Sequence, residues 1–153
     1  MKLSRRNFLA AAAVTATGPA LLVRPAFAMK PKVFVHDGLA IRGIDPVAYF
    51  TAQAPTMGDA AHQSEWMGAT WQFLSADNKA LFDADPEAYA PKYGGYCAYA
   101  VSKGSTAPTD PEAWTIHEDR LYLNFSTKVR EIWSKDIPGN IEKANQNWPG
   151  VLA

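Results

Sequence analysis

Cysteine is nearly absent: Cys97 is the only one in 153 residues. A single thiol excludes an internal disulfide, and with it the stapled class of small exported domains. Histidine is scarce too, with only His36, His62 and His117. None of these residues is spaced as C-x2-C or H-x3-H, and no haem attachment signal occurs. A closed structural zinc site would therefore have to draw all four from distant segments. A blue-copper loop gathers cysteine, histidine and methionine closely, yet neither of the last two follows Cys97 before His117. No apolar run reaches the roughly 20 residues of a membrane-spanning helix. The longest, Phe8 to Val23, is interrupted at Gly18-Pro19, so stable membrane insertion is not expected.

What the N-terminus does contain reads as a sorting signal. Lys2, Arg5 and Arg6 make a basic start, an acid-free apolar segment follows, and Ala26-Phe27-Ala28 is a small-x-small cleavage site. Ser4-Arg5-Arg6-Asn7-Phe8-Leu9 resembles the twin-arginine export motif. Residues 1–28 are thus expected to be a twin-arginine signal peptide and 29–153 the working domain, delivered to the periplasm or otherwise exported. The resemblance implies passage in the folded state, a route used by cofactor-loaded proteins and by fast folders alike. Removing residues 1–28 takes away Lys2, Arg5, Arg6 and Arg24 but no acid. The balance of 15 basic to 15 acidic residues becomes 11 to 15, a net charge of −4. Nucleic acid and anionic membrane surfaces are poor partners for such a domain. Its 125 residues, 29–153, suit one domain, burying roughly two-thirds of the extended-chain surface.

Along that domain the patterning alternates between short strands and short helices. Val33 to His36 and Leu39 to Arg42 flank the turn dipeptide Asp37-Gly38. Residues 51–63 are polar and read as a surface loop, which includes His62. Glu65-Trp66-Met67 and Thr70 to Leu74 make a hairpin around Gly68-Ala69. Ser75 caps a helix from Ala76 to Ala84, and Asp85 caps its restart over Asp85-Pro86-Glu87-Ala88-Tyr89, with Pro86 in the first position. Asp110-Pro111-Glu112-Ala113 repeats that capping chemistry. Trp114 to His117 and Leu121 to Phe125 form a second hairpin, with Leu121, Leu123 and Phe125 on an apolar face and Tyr122 and Asn124 on a polar one. Val129, Ile132 and Trp133 recur at helical spacing until Pro138-Gly139, after which Ile141 to Trp148 adds a final turn or two. The fold class is α+β: a small single domain of β-hairpins and short helices.

Chemistry-bearing residues are few, so each has a plain alternative. Cys97 sits in Lys92-Tyr93-Gly94-Gly95-Tyr96-Cys97-Ala98-Tyr99-Ala100, where Gly94-Gly95 lets the backbone approach another element or a ligand. A free cysteine is otherwise a small apolar residue, usually buried and inert. The favoured ligand, if there is one, is a metal ion such as copper or zinc at Cys97 with His62 and His117, and Met57 or Met67 in reach. The bland readings put His117 on the polar hairpin face, His62 in solvent, and His36 and Asp45 in turns. A Cys-His hydrolase has no motif behind it. A redox role for Cys97 would need sulfenic acid or an external thiol, because no resolving cysteine exists.

Trp66-Met67-Gly68-Ala69-Thr70-Trp71-Gln72-Phe73, then Ser75, then Lys79 to Tyr89 with Asp85-Pro86-Glu87, resembles the YHS domain of metal-handling proteins. Gly43 to Phe50, Lys92 to Tyr99, Ala113 to Ile116 and Asp136 to Asn140 extend the likeness to the exported YHS-domain group, some of whose members are labelled "(seleno)protein". The resemblance implies a YHS-like fold. It also implies a redox or ligand role at whichever position tolerates selenium, for which Cys97 is the one candidate. Metal-binding YHS modules carry three cysteines where this chain has Ala48, Leu74 and Asn78. None of those three is a ligand for a soft metal. The function expected is that of an exported YHS-type binding or accessory module, metal-binding through Cys97. The alternatives are a thiol-dependent redox protein and a structural domain serving an unknown protein partner or small ligand. Changing both Arg5 and Arg6 to Lys should leave folded, uncleaved precursor in the cytoplasm. Mature protein starting at Met29 outside the cell would refute the twin-arginine reading.

Overall fold

The computed structural model describes residues 28–153. The segment expected to be a sorting signal lies, apart from Ala28, outside the described residues. Strands β1 (Val35–His36), β2 (Leu39–Ala40), β3 (Asp59–Trp66) and β4 (Ala69–Phe73) form one sheet in the order β1-β2-β4-β3. β1 and β2 pair antiparallel, as do β3 and β4, and β2 meets β4 in parallel at Leu39 and Thr70. Strands β5 (Trp114–His117) and β6 (Arg120–Leu123) make a separate antiparallel hairpin. The helices are short: α1 (Ala48–Thr51), α2 (Ala76–Ala84), α3 (Pro86–Tyr89), α4 (Ala98–Ser102), α5 (Thr127–Trp133) and α6 (Ile137–Asn147). The chain is α+β, as its patterning predicts. Among the described residues no helix is long and apolar enough to cross a membrane.

Local chemistry accounts for the boundaries. Ser75 and Ser126 accept from the backbone N–H groups of Asn78 and Val129, each at 3.2 Å, and so start α2 and α5. Asp85 and Asp136 do the same for α3 and α6, each with proline in the first turn. The hairpins turn at Asp37-Gly38, Met67-Gly68 and Glu118-Asp119, where both central residues have positive φ. That geometry matches the right-handed strand twist. It corrects the reading of Gly68-Ala69 as the β3–β4 turn: Ala69 pairs with Trp66 and is buried, and glycine takes the second turn position. The loop expected over residues 51–63 ends early, because β3 begins at Asp59 and includes His62. Pro138-Gly139 opens α6 rather than ending a helix, since Asp136 caps the new one.

Two apolar clusters fill the interior. One packs Trp71, Phe73 and Phe82 with Val47, Tyr49, Leu121 and Leu123, between the four-stranded sheet and α2. The other gathers Phe34, Tyr93, Tyr96, Tyr122, Trp133 and Leu152 around α4 and α6. Full burial of a side chain such as Phe73 or Phe82 contributes ~1.5–3 kcal/mol. The β5–β6 hairpin lies between the clusters: Leu121 and Leu123 enter the first, Tyr122 the second. The polar face assigned to this hairpin is therefore absent at Tyr122, which is buried. The alternation also reverses past β6. Asn124 is fully buried, while Phe125 is 53 % exposed.

Burial of these phenols and of Cys97 has a measurable consequence. Tyr49 is held far above its ordinary pKa of 10.0, by burial first and then by Glu112 and Asp110. Burial also raises Tyr93, Tyr96, Tyr122 and the Cys97 thiol. Below their ordinary values both states keep these protons, so stability is unaffected. Above about pH 9 the unfolded chain releases protons that the folded chain retains, and stability falls. Urea melts from pH 7 to 11 should show that decline, and Tyr49→Phe should make it shallower. A flat profile to pH 11 would contradict the burial.

Candidate functional site

The three positions at which the resembled module carries cysteines do converge, on a carboxylate. Asp45 is fully buried. Its Oδ1 accepts from the N–H groups of Val47 at 2.8 Å and Ala48 at 3.3 Å. Its Oδ2 accepts from the Leu74 N–H at 2.8 Å and the Asn78 side-chain amide at 2.7 Å. Ala48, Leu74 and Asn78 thus surround one acidic side chain, which ties α1 to the end of β4 and the first turn of α2. The chemistry of this set does not fit a thiophilic metal. Ala48 and Leu74 offer only backbone amides, and the Asn78 amide is a donor already engaged. The expected turn role of Asp45 is met, and widened to a tie between segments.

Cys97 is 1 % exposed. Its Sγ accepts from the N–H of Ala100 at 3.5 Å, capping α4, and from the N–H of Phe125 at 3.2 Å. Its thiol donates to Asn124 Oδ1 at 3.6 Å, and Asn124 Oδ1 also accepts from the Tyr99 N–H at 3.1 Å. Burial raises the thiol pKa, against a partial counter-pull from the N–H groups of Ala100, Phe125 and Tyr99. A thiol held protonated is a poor nucleophile and a poor ligand. The glycines before it behave as their sequence implies. A Cβ on Gly94 would lie 1.9 Å from the Lys32 carbonyl oxygen, and one on Gly95 would lie 2.4 Å from Ile41 Cγ2. Both have positive φ.

The metal set Cys97, His62 and His117 is not assembled. Among the described residues no three of His, Cys, Asp and Glu gather where they could hold an ion. Cys97 is enclosed by Asn124 and backbone amides, whereas His62 and His117 sit half-exposed on β3 and β5. His117 faces Glu118 at 4.0 Å and His36 faces Asp37 at 3.3 Å. Met57 and Met67 are exposed.

Beside the Cys97 layer lies an open cleft of about 420 Å3, lined by Arg42, Pro108, Thr109, Asp110, Pro111 and Phe125. Arg42 follows Ile41 and precedes Gly43 in a run of three left-handed residues, with φ of 42°, 64° and 76°. This is costly for β-branched Ile41 and unusual for Arg42. The Arg42 side chain is fixed by Nε–H donating to the Thr109 carbonyl at 3.0 Å and by the Phe34 ring at 5.6 Å. Thr109 in turn donates to the Gly95 carbonyl at 2.8 Å. Asp110 Oδ1 accepts from the Glu112 N–H at 2.9 Å, forming a turn rather than the helix start its Asp-Pro-Glu motif implied. Tyr49 donates to the Pro111 carbonyl at 2.9 Å. The Cys97 N–H donates to the Ala107 carbonyl at 3.0 Å, so the cysteine fixes the backbone on both sides of the cleft.

A second cleft, of about 240 Å3, lies among Trp66, Tyr93, Trp148, Lys92 and Arg120. Its cations are engaged: Arg120 donates to the Glu87 carbonyl at 2.7 Å, and Lys92 lies over Tyr93 at 6.0 Å. The first cleft is the better site because it is larger and sets an anchored guanidinium beside an exposed phenylalanine. Sequence reasoning missed Arg42, Asp110 and Phe125 in this role. The available signal was an arginine before Gly43 and an aromatic past the end of β6. No family model, curated protein or solved structure matches the chain.

Asp45→Ala removes the acceptor of four donors at once. It should cost about 3 kcal/mol or more in urea unfolding, against about 1 kcal/mol for Asn78→Ala, which removes one donor. Equal costs would contradict a shared node at Asp45.

Proposed function

We propose that this chain is an exported YHS-type binding or accessory module that takes a small ligand in the cleft between Arg42 and Phe125, without metal or thiol chemistry. The observation that carries this reading is the anchored guanidinium. Arg42 spends one N–H on Thr109 and stacks on Phe34, leaving its Nη groups without a protein partner among the described residues. A volume of about 420 Å3 lies toward the small end of the roughly 300–1,000 Å3 of small-molecule sites. An exposed phenylalanine supplies the apolar contact such sites use. Cys97 serves this cleft as an internal pin. Its sulfur holds the Phe125 amide and its own N–H holds Ala107, work for which an acceptor is needed and a reactive thiolate is not.

Purified protein should contain no stoichiometric copper or zinc, and a strong chelator should leave its thermal midpoint unchanged. Cys97 should alkylate with iodoacetamide only after denaturation. In amide NMR spectra, a library of small polar molecules should produce shifts clustered at Arg42, Thr109, Asp110 and Phe125. Bound metal that is lost in Cys97→Ser, or fast labelling of the native thiol, would overturn the proposal.

A further inference from the structure

We infer that the cleft recognises a small zwitterion of the α-amino acid class with an apolar side chain, its carboxylate on Arg42 and its ammonium on Asp110. This rests on the cleft being the binding site and names what it binds. The first ground is that the cleft presents one charge of each sign, and they are not spent on each other. The ion pairs among the described residues are His36–Asp37, Lys79–Asp83 and His117–Glu118, so Arg42 and Asp110 form none with each other. Opposite charges that line one cleft without pairing are complementary to a ligand that carries both.

Each charge is also anchored by one bond and keeps unspent bonding capacity. Guanidinium has five N–H donors in a planar fork, and Arg42 commits only Nε–H, to Thr109. The two Nη groups together can bind a carboxylate through paired N–H···O bonds. Asp110 commits Oδ1 to the Glu112 N–H, and its backbone N–H donates to the Asn124 carbonyl at 3.0 Å, which holds the residue in place. Its second oxygen, Oδ2, has no partner among the described residues and is an acceptor suited to an ammonium group.

The remaining lining is apolar and sets the third contact. Phe125 is 53 % exposed, Pro108 is exposed and Pro111 half-buried. These surfaces would cover an aliphatic or aromatic side chain. A simple anion suits the cleft less well, because Asp110 lines it with Arg42 and the exposed Glu112 follows closely in sequence. A simple cation meets Arg42. A zwitterion satisfies both.

The test is a set of NMR titrations of the purified protein with L-leucine, N-acetyl-L-leucine and L-leucine amide. Leucine should shift the amides of Arg42, Thr109, Asp110 and Phe125 saturably, and each derivative, lacking one charge, should bind about tenfold more weakly or worse. Asp110→Asn keeps an oxygen for the Glu112 turn, and should abolish the preference of leucine over N-acetyl-leucine. Arg42→Gly suits the positive φ at that position, and should abolish leucine binding while the spectrum stays that of a folded domain. Equal binding of leucine and N-acetyl-leucine, or an Asp110→Asn variant with unchanged preference, would overturn the zwitterion assignment while leaving a ligand cleft in place. No shifts at the cleft with any of the three would overturn it as well. Shifts there from a different library compound would then keep the cleft as the site, and their absence would remove both.

Discussion

Backbone at Gly94 to Cys97 has to pass within bonding distance of three other segments, and the arrangement of the domain depends on that passage. The Gly94 carbonyl accepts from the Phe34 N–H at 2.8 Å, and the Gly95 carbonyl accepts from Thr109 Oγ1. Cys97 then bonds Ala107 through its N–H and Phe125 through its sulfur. A side chain at Gly94 would drive a carbon into the Lys32 carbonyl, so the segment leading into β1 could no longer lie against this one. The same short stretch therefore sets the position of Phe34, on which Arg42 stacks, and of Thr109, which Arg42 bonds. The Arg42 cleft is downstream of a glycine pair that does not line it.

Two buried polar groups divide the work of joining segments. Asp45 holds α1, β4 and α2 through four donors, and it lies under the first apolar cluster. Cys97 and Asn124 hold α4 to the chain leaving β6, at the edge of the second. In both places the bonds run mainly from backbone N–H groups, which must find acceptors once they leave water. The carboxylate does this with charge-assisted bonds and the sulfur with weaker ones. That difference makes Asp45 the costlier residue to remove, although Cys97 is the more conspicuous in sequence. Asn124 Nδ2 is buried without a partner among the described residues. Such an orphan costs about 1–3 kcal/mol, which the two bonds on its oxygen help to offset.

How much of this was legible in the sequence follows the range of each interaction. The Ser75 and Asp85 caps and the Asp37-Gly38 turn were readable because each is decided within four residues. Even there the β3–β4 turn slipped by one residue, since Gly68 can serve either place and only the burial of Ala69 decides. The β5–β6 hairpin was placed correctly, but its faces were not. Strand alternation assumes one wet side, and Tyr122 is instead received by a second apolar cluster built from α4 and α6. Phe125 extended the pattern on paper, but the strand ends at Leu123, and the Cys97 sulfur takes the Phe125 amide out of register. The metal set is not brought together among the described residues, for a different reason. Scarcity of ligands drew attention to Cys97, His62 and His117 together, while nothing in their spacing required them to meet.

The left-handed run from Ile41 to Gly43 is the remaining conflict between local and global preference, and it bears on the cleft more than on the core. Ile41 is 2 % exposed and packs in the first cluster, so burial supports one strained residue of the three. Gly43 tolerates its own φ without cost. Arg42 gains no comparable burial, and what it gains is a fixed guanidinium held between Phe34 and Thr109. A strained backbone persists only where its surroundings over-determine it. Here the surroundings are the Ile41 side chain beneath, the Gly95 surface that Ile41 touches, and the Thr109 carbonyl ahead. Because the packing of Ile41 enforces the turn, Arg42 is aimed by the core rather than by a ligand. The cleft is therefore preorganised before anything enters it, which lowers the ordering cost of binding for a small molecule with few contacts to offer.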